Sequence, residues 1–136
     1  MTNEEINKTI HEKVMNECWH EMKGGRIRPA KCIKSCGLIV PIAVFQQIGQ
    51  SGINPDYCSD LNAVHRAEMK AIERLSTTNK NPNVAYCRHL MVANGFNYDD
   101  LGYLYEQVIR ASARQRAEAV LRATGNWVDT KEGTDA

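Results

Sequence analysis

A single α+β domain, with helices packed on a small sheet, is the fold class the sequence predicts, and three observations carry it. Two amphipathic segments near the ends of the chain each open on a capping-box spacing, Thr2 with Glu5 and Ser112 with Gln115. In that arrangement a hydroxyl accepts from a free backbone N–H while an acid or amide reaches back. Between them, Arg26 to Ile53 is cut into short apolar runs by Pro29, Gly37, Pro41, Gly49 and Gly52, a pattern of strands and turns rather than helix. The length, 136 residues, suits one core and not two. The domain is expected over 1–128, followed by a tail over 129–136, DTKEGTDA, with nothing to bury and therefore mobile.

The first helix is predicted from Thr2 to Met22. Ile6, Ile10, Val14, Cys18 and Met22 make a stripe at every fourth residue, Met15 and Trp19 widen it, and Lys23 with Gly24-Gly25 supplies the stop. Trp19 reads as core or interface filler. The best strand candidate is Leu38 to Phe45, where Pro41 forces an edge or bulged strand, one able to pair with another chain in an oligomer. Asn54-Pro55-Asp56 signals a turn, and Ser59 or Asp60 can cap the next helix. Leu61, Val64, Ala67 or Glu68, Ala71, Ile72 and Leu75 give that helix its buried face. A surface loop follows over Ser76 to Asn83. Val84 to Ala93 reads as a short helix, with a strand as the alternative, and Tyr98 to Arg110 as a strand or as a helix broken at Ser112. The last helix starts at Ala113, buries Ala117, Val120, Leu121 and Thr124, and stops at Gly125, where a left-handed residue is wanted.

Composition narrows the function classes. With 43% hydrophobic and 24% charged residues the chain has the makings of a folded core. The net charge of +1, from 17 basic and 16 acidic side chains, removes the global field that grips long nucleic acid, so a nucleotide partner should be small. No apolar run is long enough for a membrane span, and the first twenty residues carry Glu4, Glu5, Lys8, Glu12 and Lys13 instead of a signal-peptide pattern. A soluble protein kept inside the cell that makes it is expected. Five cysteines, an odd number, point to reduced thiols.

No glycine-rich phosphate loop, GxSxG elbow or HExxH is present. Cys18 and His20 with Cys32 and Cys36 are two pairs that together offer four tetrahedral ligands. Their Cys-x-His and Cys-x-x-x-Cys spacings depart from the usual Cys-x-x-Cys turn, and Cys18 fills a place in the first helix's stripe, so no bound metal is expected. His65 and Glu68 neighbour each other on one helix, a pairing common among exposed helical charges. The more pointed candidates are Arg110, Arg114 and Arg116 around the Ser112 helix start. Cations there oppose the helix dipole, and a phosphate held by side-chain and backbone donors would explain them. A solvated basic face offset by Glu106 and Glu118 is the alternative.

The stretches TNEEINKTIHEKV, PDYCSDLNAVHRAE and RASARQRAEAVLRATGNW resemble small phage proteins with an α-β-α sandwich domain. Within that group the chain is most similar to the phage-encoded Thoeris anti-defence sponges of the first family described, over Thr2 to Cys18 and Tyr57 to Trp127. The resemblance implies a non-enzymatic protein, without cofactor, that acts in the cytoplasm of the infected bacterial cell. It would sequester a cyclic ADP-ribose isomer made by the Thoeris defence and leave it uncleaved. Some members also bind cyclic di- and trinucleotides at separate sites, and members form homo-oligomers, hexamers among them. The alternative is a structural or adaptor domain of the same phage group that binds a protein. The ligand set rests on chemistry: Arg88, Arg110, Arg114 and Arg116 with Ser112 for phosphates, Phe96 or else Tyr98 to stack on adenine, Asn97 for a base edge or ribose hydroxyl.

Overall fold

The computed structural model describes residues 1–34, 36–95 and 110–129. Helix α1 (Asn3–Thr9) opens as the sequence predicts: the Thr2 hydroxyl accepts from the Glu5 N–H at 3.2 Å and the Glu5 carboxylate accepts from the Thr2 N–H at 2.7 Å. It runs on as one π-helical turn, Ile10–Val14, and there it ends; Asn16 is left-handed, φ 55°. The predicted extension to Met22 is therefore corrected. On a straight α-helix a strict four-residue spacing turns the stripe by about 40° per step, so beyond Val14 it winds off the core face. The wide turn keeps Ile6, Ile10 and Val14 fully buried and releases Cys18 into a loop.

The chain then builds a three-stranded antiparallel sheet in the order β1 (Met22–Lys23), β2 (Ala30–Cys32), β3 (Ile39–Val40). Met22 pairs with Cys32, Lys23 with Lys31, Ala30 with Val40 and Lys31 with Ile39. Gly25, at φ 94°, turns the first connection, and a Cβ there would collide with the Phe45 ring. The strand predicted over Leu38 to Phe45 shrinks to two residues because Pro41 ends it and caps the N-terminus of α2 (Ile42–Ile53), a helix the sequence did not suggest. Gly49 kinks α2, and none of its residues is buried.

The main core is helical. Asp60 caps α3 (Leu61–Leu75), its carboxylate accepting from the Asn62 and Ala63 N–H groups. Pro82 opens α4 (Pro82–Ala93), which settles the helix-or-strand choice in favour of helix. Ser112 caps α5 (Ala113–Ala123) with the predicted box, and Gly125 follows the helix end at φ 75°. Helices α3, α4 and α5 pack on one another, α5 also on α1, and both α3 and α5 on the π-helical turn, with Val64, Ala67, Leu90, Val120 and Leu121 in the shared core. Removing a buried side chain such as Leu121 would cost about 2–5 kcal/mol. Asn7 fastens the 56–58 turn to α1, donating to Asp56 at 3.0 Å and accepting from the Cys58 N–H at 3.0 Å, while His11 meets the Tyr57 hydroxyl at 2.8 Å. The expectations for Tyr98 to Ile109 and for the tail over 130–136 lie outside the described residues. Among the described residues no helix is long and apolar enough to cross a membrane.

Candidate functional site

At the start of α5 the arginines go to different places. Arg114 Nε donates to Asn3 Oδ1 at 2.9 Å, and its guanidinium lies 5.7 Å from the centre of the Trp127 ring, tying α5 to both ends of the domain. Arg116 turns the other way, with Nη1 3.2 Å from the Glu68 carboxylate and Nε 3.2 Å from the Ala111 carbonyl oxygen. Glu68 is only 5% exposed and also accepts from the Tyr86 hydroxyl, so this ion pair joins α3, α4 and α5. Burial, then the Glu68 charge, holds the Tyr86 phenol far above its ordinary range. The Ser112 hydroxyl accepts from Gln115 within the cap. Arg110 is exposed, as is Arg88 on α4; Phe96 and Asn97 lie outside the described residues. Arg114 and Arg116 thus meet different groups of the fold, Asn3 and Trp127 for the first, Glu68 and the Ala111 carbonyl for the second. His65, exposed, lies 3.7 Å from Glu68, whose carboxylate faces Tyr86 and Arg116 rather than solvent.

A second cluster forms where the sequence discouraged one. Cys18 and His20 arrive on the loop after α1, Cys32 on β2 and Cys36 just before the Gly37 turn. Their ligand atoms all lie within 4.8 Å of one another, with Cys18 Sγ 4.0 Å from Cys32 Sγ and Cys36 Sγ 3.3 Å from His20 Nδ1. The sequence places Cys18 in a helical stripe, but the helix stops at Val14 and Cys18 lies in the loop beyond it. The irregular spacing is also explained: the donors come from an extended loop, a strand and a turn, so no single Cys-x-x-Cys knuckle is needed. Burial raises the Cys32 thiol, but hydrogen bonds from His20 and from the backbone at Lys34 and Glu21 outweigh it and bring it down to about 6. Cys18 is pushed up to about 11 by burial and by its hydrogen bonds to Cys36 and Cys32. Three thiols and an imidazole so placed are a donor set for a soft, four-coordinate metal ion.

Beside that cluster the sheet carries a cleft of about 560 Å³, lined by Lys23, Arg28, Pro29, Lys31, Cys32, Ile33 and Ile39. Lys23 and Lys31 are direct cross-strand partners, and Lys31 is paired on its other side with Ile39. Like charges directly opposite each other destabilise a sheet, so this pair asks for a compensating anion. Arg28 adds a third cation, and among the described residues the lining contains no carboxylate. The sequence held a signal for these residues that net charge conceals. Between Glu21 and Asp56 there are five basic residues, Lys23, Arg26, Arg28, Lys31 and Lys34, and no acid, which leaves the remainder of the chain net acidic.

Comparison with protein families, with characterised proteins and with solved structures returned no match.

Proposed function

We propose that the protein is a non-catalytic binder that sequesters a small phosphodiester-bearing ligand, of the cyclic nucleotide kind handled by the phage sponges its sequence resembles. The observation that carries this is the cleft in which Lys23 and Lys31 oppose each other beside Arg28, with no carboxylate in its lining among the described residues. A bridging phosphate relieves the lysine repulsion and gains charge-assisted hydrogen bonds of about 1.5–3 kcal/mol each. Pro29, Ile33 and Ile39 supply an apolar wall for a base, and the cleft's volume suits one small ligand. With three cations rather than a long basic track, binding should weaken only modestly as salt rises.

Helix α2, with Val44 and Ile48 exposed and no residue buried, offers a face for self-association, in keeping with a homo-oligomer. The alternative, an adaptor that docks a protein partner, is favoured by Ile27, which is 97% exposed on the β1–β2 connection. Calorimetry with cyclic ADP-ribose isomers and with cyclic di- and trinucleotides, then heat release and chromatography of the ligand, separates these roles. Saturable binding with intact ligand recovered supports sequestration. Altered ligand would mean an enzyme. Absence of binding to every cyclic nucleotide, or a steeply salt-dependent preference for duplex DNA, would overturn the proposal.

A further inference from the structure

We propose that Cys18, His20, Cys32 and Cys36 bind a single zinc ion in a closed tetrahedral site that folds the sheet segment of this protein. All four ligand atoms lie within 4.8 Å of one another, and two of their separations are close to those of a zinc centre. Zn–S bonds of about 2.3 Å and a Zn–N bond of about 2.0–2.1 Å, set tetrahedrally, place sulfurs roughly 3.8 Å apart and a sulfur and a nitrogen roughly 3.5 Å apart. The corresponding separations are 4.0 Å for Cys18 and Cys32 and 3.3 Å for Cys36 and His20. The Cys18 and Cys32 sulfurs are free thiols in contact at 4.0 Å, not the roughly 2.05 Å of a disulfide. Four protein ligands leave no open position, which makes the site structural rather than catalytic.

The surroundings hold the ligands in place. The His20 N–H donates to Asn54 Oδ1 at 2.8 Å, and the His20 carbonyl accepts from Asn54 Nδ2 and Gln50 Nε2, each at 2.8 Å. Asn54 is itself buried. Such outer hydrogen bonds fix the approach of a ligand to its metal. Lys34 pins the same loop, its ammonium donating to the Trp19 carbonyl at 2.7 Å while lying 3.8 Å from both the Glu12 and the Glu21 carboxylates. Thiolates and an imidazole select zinc over magnesium or calcium.

The segment also needs such a clasp. Its strands are two, three and two residues long, and its buried apolar side chains, Ala30, Cys32 and Val40, stand outside the main helical cluster. Strands that short do not hold together on backbone pairing alone. Metal binding supplies folding free energy where a core is too small to do so.

The test is metal content and cobalt spectroscopy. Protein purified under reducing conditions without added metal should carry one zinc per chain. Cys32→Ser and Cys36→Ser should lose most of it, whereas Cys58→Ser and Cys87→Ser, cysteines outside the cluster, should keep it. Cobalt added to chelator-stripped wild-type protein should give the intense visible bands of a tetrahedral thiolate site, bleached by one equivalent of zinc. That titration needs no variant, so it decides the matter even if the serine variants fail to fold. Trace zinc with no tetrahedral cobalt spectrum would overturn the proposal. So would zinc content unchanged in Cys32→Ser and Cys36→Ser, or a Cys18–Cys32 disulfide in protein purified under air. The site stands on its own donors, so none of these results depends on what the neighbouring cleft binds.

Discussion

Replacing Lys31 by threonine should make the free protein more stable and the ligand weaker, a pair of effects that a merely structural lysine would not produce. Lys31 faces Lys23 directly across β1 and β2, and such a like-charge pair costs about 0.2–1 kcal/mol. Threonine suits a strand and removes the repulsion, so the melting temperature of the unliganded protein should rise by about 1–4 °C. In the complex the same substitution deletes a charge-assisted hydrogen bond of about 1.5–3 kcal/mol, roughly a tenfold to hundredfold loss of affinity. Differential scanning calorimetry and isothermal titration with a cyclic nucleotide read the two quantities. Lys80→Thr, on the exposed loop between α3 and α4, controls for loss of one positive charge and should change neither. If Lys31→Thr lowers the melting temperature and leaves affinity unchanged, the lysine row is not an anion site.

Glu68→Ala should destabilise the protein by about 3–5 kcal/mol, measured by urea unfolding, because it removes the buried acceptor shared by Tyr86 and Arg116. Arg114→Ala should cost about 0.5–1.5 kcal/mol of stability through lost contacts with Asn3 and Trp127 and leave cyclic nucleotide affinity unchanged; a large affinity loss would restore the helix start as the binding site. His89 has its pKa lowered by burial and then by the Arg122 charge, so the folded protein resists its protonation. Its contribution is complete above the unfolded value of about 6.5 and falls away as pH drops below that, so His89→Gln should flatten the decline of the unfolding midpoint between pH 7 and pH 5 relative to wild type.

What the sequence revealed and what it concealed divide along the range of the interactions involved. The caps at Thr2, Asp60 and Ser112 were legible because each is made within three residues, and the buried faces of α3 and α5 because helical spacing announces them. The partners of Arg114 and Arg116 were not, since Asn3 lies 111 residues away and Glu68 lies 48 away. The first helix was overextended because a four-residue spacing looks helical for longer than the geometry allows, and the π-helical turn that absorbs the drift has no local signature. Strands of two or three residues are too short to show a period, and Pro41 served equally well as a strand interrupter or a helix start. The sulfur cluster depended on both of these points: only when Cys18 leaves the helix and β2 carries Cys32 beside it do four scattered residues become a site.

Backbone-amide NMR of the metal-loaded protein, titrated with a cyclic nucleotide, tests the proposed function at its most specific point. Shifts are expected to concentrate on Lys23, Arg28, Lys31, Ile33 and Ile39 around the cleft, with the amides of Ser112 to Arg116 unmoved. Shifts concentrated at the start of α5, or none anywhere at saturating ligand, would contradict it.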